Sequence, residues 1–224
     1  MRTPKAILFD LDGVIIDSEA IHHRAYEIAL APFGVDTIPF EIYAEHWSNR
    51  GEGLAYAARA WGVDPARLKL EKEALFLDLL RREGDLRAGA KAAVSSLAAR
   101  WPTALATGSE RAAARHVLER FGLEACFRVV VGREDYQRDK LVPDAFLRAV
   151  VLLGVEAREC VAIEDSWKGL AAARAARIPC IVVPNDYTRA APFEGACLRL
   201  ESMESLTPDV VEEAFGRAFE AAEV

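Results

Sequence analysis

Four short groups of residues hold the polar chemistry of this chain: Asp10-Leu11-Asp12, Thr107-Gly108-Ser109, Lys140, and Glu164-Asp165-Ser166. Three of them directly follow apolar runs, which are Ile7-Leu8-Phe9, Ala104-Leu105-Ala106 and Val161-Ala162-Ile163. A short apolar run reads as a strand buried on both faces, and its end delivers the next side chain to the rim of the sheet. In open α/β sheets ligands bind at that rim. Asp10 and Asp165, on two different strands, can share one hard cation, and Mg²⁺ prefers a few carboxylates completed by water and substrate phosphate. A bound metal also explains how like charges can converge. Thr107 and the amides of Gly108 and Ser109 precede a helix, where phosphate oxygens find donors and a favourable dipole. Lys140 adds a positive charge able to hold Asp10 and a phosphate together. An ionised Asp10 can attack phosphorus. Asp12 can protonate the leaving oxygen and then take a proton from water. The remaining catalysis rests on positioning and charge neutralisation.

Each group alone has a plainer reading. Asp12-Gly13 is a common turn pair. Thr-Gly-Ser suits a loop and a helix cap. A single lysine is usually a solvated charge, and Glu-Asp-Ser is a favourable helix start. The information lies in their order and their placement at strand ends.

The elements that must position these groups follow from the hydrophobic pattern. Residues 5–10 read as the first strand. Residues 19–31 have helical spacing, with Ser18 as a plausible N-cap. Pro32-Phe33-Gly34 breaks that helix. Residues 40–83 read as helical, interrupted near 48–53 and 62–65, with a long amphipathic helix over 65–83. No strand signal falls in this stretch, although a βαβ crossover needs far fewer residues. An inserted helical unit is the economical explanation. From residue 89 onward helices and strands alternate: helix 89–99, strand 103–107, helix 110–121, strand 128–131, helix 143–153, strand 160–164, helix 166–176, strand 179–183, and a final helix at 208–221. That alternation predicts an α/β fold with a doubly wound, Rossmann-like parallel sheet. The expected division is a core of 1–17 and 86–224 with an inserted helical cap at 18–85.

The 224 residues, 52% hydrophobic and 28% charged, suit one globular domain with an insert. A net charge of -7 argues against nucleic acid or an anionic membrane as partner. No apolar run has membrane-spanning length, and the chain enters a strand too early for a signal peptide. The four cysteines show neither CxxC nor zinc spacing, so buried free thiols in a reducing cytoplasm are expected. The expected state is a monomer or weak homodimer.

The set resembles the haloacid dehalogenase superfamily of phosphotransferases over about residues 6–184. Asp10-Leu11-Asp12-Gly13-Val14 is like its first motif and Thr107 like the second. Lys140 with Pro143-Asp144-Ala145-Phe146 is like the third, and Ile163-Glu164-Asp165-Ser166 with Gly169 like the fourth. The helical insert looks like the cap of the β-phosphoglucomutase and phosphoglycolate phosphatase branch. The resemblance implies Asp10 as nucleophile and Asp12 as general acid/base, with Thr107 and Lys140 on phosphate. It implies Mg²⁺ held by Asp10, the Asp12 backbone carbonyl and Asp165, with Glu164 as a fourth contributor. Two departures stand out. The common Lys-Pro-x-Pro-Asp is here Lys140-Leu141-Val142-Pro143-Asp144, and the glycine that usually ends the last helix is replaced in Ala176-Arg177-Ile178.

Within the cap, His22, Arg24 and Arg50 are the polar residues that stand out, His22 and Arg50 being the substrate candidates. His22 matches a histidine of β-phosphoglucomutases. Arg50, in a break between Asn49 and Gly51, could bind a second anionic or hydroxyl group. Trp47 beside it could line the pocket or anchor the cap. The expected function is a Mg²⁺-dependent phosphatase acting on a small phosphorylated metabolite, a sugar phosphate, through an aspartyl phosphate. The alternatives are a phosphosugar mutase of the β-phosphoglucomutase kind, a dehalogenase, and a non-catalytic metal-binding module. Asp12 argues against the dehalogenase, because the resembling dehalogenases need no metal and lack that aspartate.

Overall fold

The computed structural model describes residues 3–136 and 143–222. Lys140 lies outside them. Strand β1 is Ala6–Phe9, and helices α1 (Glu19–Leu30), α2 (Phe40–Tyr43), α3 (Gly53–Trp61) and α4 (Pro65–Glu83) follow it. The alternating part comprises α5 (Ala90–Ala98), β2 (Thr103–Ala106), α6 (Arg111–Phe121), β3 (Val129–Val131), α7 (Asp144–Leu153), β4 (Cys160–Glu164), α8 (Trp167–Ala175), β5 (Cys180–Val182), β6 (Leu198–Arg199) and α9 (Pro208–Ala222). All pairings are parallel, in the order β3-β2-β1-β4-β5-β6. This is the doubly wound order in which the chain reverses direction across the sheet between β1 and β4. The register pairs Phe9 with Ile163, so the acids that follow these two residues emerge side by side.

Period-two side-chain alternation places two cores on the sheet. Ile7, Phe9, Leu105, Val161, Ile163 and Ile181 face α5, α6 and α9. Ala6, Leu8, Ala104, Ala106, Ala162 and Val182 face α7 and α8. Every residue of β1 is buried, as a strand covered on both faces requires. β6, two residues long, is absent from the sequence reading because so short a strand has no alternation to detect.

Helices α1–α4 and their connections gather around a third cluster, including Leu30, Ile38, Tyr43, Trp47 and Leu68. α4 starts where the chain supplies both signals: Pro65 in the first turn, and Asp64 accepting from Arg67 N at 2.7 Å. Ser18 occupies the N-cap position of α1, but its hydroxyl makes no cap bond. It donates to Asp12 instead. Residues 44–49 form a π-helical turn, a rare geometry frequent at functional sites. Cys126, Cys160, Cys180 and Cys197 are free, the middle two buried. No helix among the described residues is long and apolar enough to cross a membrane.

The missing glycine after α8 has a structural consequence. Arg177 adopts φ 58, a left-handed conformation that costs a residue with a Cβ about 1 kcal/mol. Its neighbours nonetheless close the helix end, with Ile178 N donating to Ala173 O at 2.9 Å. Arg177 is exposed. Arg177→Gly is therefore expected to stabilise the fold by about 0.5–1 kcal/mol, read as a higher thermal midpoint with unchanged activity.

Candidate active site

The β1 end is built by one tight turn. Asp10 N donates to Ile163 O at 3.0 Å, continuing the β1–β4 ladder by one residue. Three successive amides, of Val14, Ile15 and Ile16, then converge on the Leu11 carbonyl at 2.9–3.3 Å. Gly13 sits in this turn at φ 72, and a Cβ there would fall 2.1 Å from Asp165 Oδ2. Only glycine satisfies both the dihedral and the approach. The turn brings Asp12 back to the rim beside Asp10.

Asp10, Glu164 and Asp165 are all buried, and one carboxylate oxygen from each lies within 4.8 Å of the others. Burial pushes the Asp165 carboxyl well above the usual carboxylate range, and Glu164, Glu19 and Asp10 reinforce that direction. Asn185 Nδ2 donates to Asp165 Oδ2 at 2.7 Å. Three converging oxygen donors, destabilised by mutual repulsion, fit an oxygen-preferring divalent cation, which would relieve that repulsion. The resemblance implies that Asp12 joins this set through its backbone carbonyl; its side chain faces elsewhere.

The Asp12 carboxylate is ringed by donors. Ser18 Oγ donates to Oδ1 at 2.7 Å and His22 Nε2 lies 3.2 Å from the same oxygen. Ser109 Oγ donates to Oδ2 at 2.5 Å, with Thr107 Oγ1 more distant at 3.5 Å. Burial alone would raise this carboxyl. The charge of His22 and the bonds from His22, Ser109 and Ser18 outweigh it and hold the group well below its ordinary value. His22 is itself fixed by stacking on Phe76, with centroids 3.7 Å apart.

Thr107 follows β2. Its amide donates to Val131 O at 3.0 Å, and its hydroxyl accepts from Ser109 N at 3.0 Å. Gly108 and Ser109 line a cavity of about 290 Å³ between the sheet rim and the helical unit, together with Asp10, Asp12 and Asp165. The structure thus brings together Asp10, Asp12, Thr107, Gly108, Ser109, Glu164, Asp165 and His22. It does not bring Arg50. That guanidinium is largely exposed and pairs with Glu45 at 2.6 Å, and it does not line the cavity. The break in the helix points Arg50 outward, where an acid five residues earlier captures it.

Three lysines of the cavity, Lys69, Lys72 and Lys168, lie outside the sequence reading. Lys72 is buried on α4, its Nζ 4.6 Å from the Phe76 ring centroid and 3.5 Å from Glu73. Burial lowers its pKa. A signal existed: Leu68, Lys72, Phe76 and Leu80 form one stripe at four-residue spacing, so a lysine interrupts the buried face of the helix. Lys168, on the first turn of α8, donates to the Trp47 carbonyl at 3.3 Å and ties the core to the π-helical turn. Trp47 lines the cavity and also anchors the cap cluster.

Gly169 sets the Glu164 side chain. A Cβ at 169 would fall 1.9 Å from the Glu164 carboxyl carbon. Gly169→Ala is expected to push that carboxylate out of the acidic group and weaken divalent-cation binding by about ten-fold. Calorimetric titration of the substrate-free protein with Mg²⁺ checks this, and unchanged affinity would remove Glu164 from the ligand set.

A family model described as haloacid dehalogenase-like hydrolase matches residues 4–177. Protein CbbY of Cereibacter sphaeroides is 34% identical over 220 residues, covering 90% of this chain and 94% of that protein. Hexitol phosphatase B of Escherichia coli (strain K12) is 31% identical over 220 residues, covering 92% and 97%. The crystal structure of CbbY from Rhodobacter sphaeroides in complex with phosphate superposes with a TM-score of 0.80 at 30% identity, covering 91% of this chain and 96% of that one.

Proposed function

This chain belongs to the haloacid dehalogenase-like hydrolases, and from that membership we propose that it is a Mg²⁺-dependent phosphatase of small sugar phosphates, working through an aspartyl phosphate on Asp10. The observation that carries this reading is the pairing at the β1 end. One buried carboxylate lies in an acidic trio able to hold a cation, and a second, two residues on, lies in a ring of hydrogen-bond donors. The named relatives, a hexitol phosphatase among them, support the substrate class.

In the proposed reaction Asp10 attacks phosphorus through one carboxylate oxygen, and the bond to the sugar oxygen breaks. Asp12 supplies the proton that this oxygen needs to leave. Water then attacks the phosphorus of the acyl phosphate and gives its proton to Asp12, releasing phosphate and restoring Asp10. The donors around Asp12 favour its ionised form, the form that accepts the proton of water. To act as acid it must already carry a proton: the one it takes from water in the second step is the one it gives to the leaving oxygen of the next substrate, so the cycle balances. Mg²⁺ bound by Asp10, Asp165, Glu164 and the Asp12 carbonyl would neutralise charge on the phosphoryl oxygens and on the acids that face them. Thr107, Gly108, Ser109 and Lys140 are proposed to hold the remaining oxygens, the Ser109 amide by exchanging its bond to the Thr107 hydroxyl for one to phosphate. Residues 18–85 are proposed as the cap that closes the cavity and selects the sugar, with His22 and Lys72 reaching into it. Arg50 has no part in this reading. Four free thiols support a reducing cytoplasm.

A panel of hexitol phosphates, ketose phosphates and sugar bisphosphates, assayed for free phosphate with Mg²⁺ and again with chelator, tests the reading. The expected result is phosphate release from a subset, abolished by the chelator. Conversion of glucose 1-phosphate to glucose 6-phosphate without phosphate release would overturn it in favour of the mutase.

A further inference from the structure

The loop after β5 joins two parts of the molecule that the reaction scheme treats separately. Asn185 stands at its start with every side-chain and backbone polar group engaged. Its Nδ2 donates to Asp165 Oδ2 at 2.7 Å and its Oδ1 accepts from Tyr187 N at 2.9 Å. Its amide donates to the Thr188 hydroxyl at 3.0 Å, and its carbonyl accepts from Arg189 N at 2.9 Å. A side-chain amide bonded at both its oxygen and its nitrogen is held in one rotamer and moves with its loop.

Two residues further on, Tyr187 leaves the core and joins the helical unit. Its ring packs against that unit's apolar cluster, 4.8 Å from Phe40 and edge-on to Tyr43 at 5.7 Å between centroids. Its hydroxyl lies 3.4 Å from His23 Nδ1, and its carbonyl accepts from Asn49 Nδ2 at 3.3 Å. Asn49 closes the same π-helical turn whose Trp47 carbonyl takes Lys168.

We propose that Asn185 and Tyr187 are positioning residues that couple the seating of the helical unit to the orientation of the Asp165 carboxylate. Tyr187 is gripped by α1, α2 and the π-helical turn, and its amide is bonded to the Asn185 oxygen. The other end of that same amide aims Asp165. Asp165 Oδ2 and Asn185 Nδ2 both abut the Gly13 backbone, where a Cβ would fall 2.1 Å from the one and 2.7 Å from the other, so the pair has little room to rearrange. Donors that orient a ligating carboxylate set metal affinity without touching the metal. Withdrawal of the helical unit pulls Tyr187, and with it the donor on Asp165. Cation binding and cap seating then strengthen each other, as two events biasing one element must.

The inference rests on the metal reading of the acidic trio, and its test separates the two. Mn²⁺ binding to the substrate-free protein is measured by electron paramagnetic resonance for the unmodified chain, Asn185→Ala, Tyr187→Ala and the double variant. The expected result is a 10- to 100-fold weaker dissociation constant for Asn185→Ala, the range usual for partners of metal ligands. Tyr187→Ala should weaken binding several-fold although its side chain touches none of the acids, and the double variant should be no worse than Asn185→Ala alone. A purely structural tyrosine would lower the melting temperature and leave the Mn²⁺ constant unchanged; that result overturns the coupling. Unchanged affinity in Asn185→Ala overturns it as well. Tyr187→Ala, at a half-exposed residue, decides the matter on its own should Asn185→Ala fail to fold. Absence of Mn²⁺ binding by the unmodified protein would refute the metal reading itself, and the coupling with it.

Discussion

Asp10→Asn is expected to lower turnover by about four orders of magnitude or more, the usual loss when the group that forms the covalent intermediate is removed. An amide oxygen is a far poorer nucleophile toward phosphorus than a carboxylate. It is also a weaker partner for a divalent cation, so the requirement for Mg²⁺ should rise as well. The fold should not suffer. Asp10 is 1% exposed, yet it shares its surroundings with the carboxylates of Glu164 and Asp165. Removing one of three like charges relieves repulsion in the metal-free protein, so its thermal midpoint should stay level or rise. Phosphate release and a circular-dichroism melt measure the two effects. Substantial residual turnover in a fully folded variant would remove Asp10 as nucleophile.

Asp12→Asn should cost about 10²- to 10⁴-fold on an alkyl phosphate such as a sugar phosphate. The reason is specific to the leaving group. A sugar alkoxide needs a proton as it departs, and the amide cannot give one. A nitrophenolate needs none, so with p-nitrophenyl phosphate the first step should survive. The second step still requires a base for water, and the phosphorylated enzyme should accumulate. The expected record is a burst of nitrophenolate stoichiometric with enzyme, followed by slow turnover. The surrounding hydroxyls of Ser18 and Ser109 can rotate to accept from an amide, so the site should keep its shape. Equal losses on both esters, with no burst, would contradict the acid–base assignment.

Much of the site was legible because its residues sit where the sheet puts them. Asp10, Thr107 and Glu164-Asp165 each follow a strand that the apolar pattern locates, and the strand order brings β1 beside both β2 and β4. What the pattern omits is what tertiary contacts decide. Ser18 has the sequence of a helix cap, but a carboxylate six residues upstream takes its hydroxyl. Arg50 lies in a break from which it could reach a substrate, and Glu45 holds it outside. Asn185 and Tyr187 belong to a loop with no periodicity, and their meaning appears only when Asp165 on one side and Tyr43 on the other are in place. Lys72 is legible in the sequence, since a lysine in the apolar stripe of a long helix is a signal.

The central claim is that the phosphoryl group passes through Asp10. The most direct measurement is a rapid acid quench during turnover of a good substrate with Mg²⁺, followed by borohydride reduction and peptide mass spectrometry. Borohydride converts an acyl phosphate to the alcohol and leaves free carboxylates intact. The account predicts that reduction at residue 10 alone, and none in Asp10→Asn. Steady phosphate release with no reduced residue, or with the reduction at Asp12, Glu164 or Asp165, would contradict it.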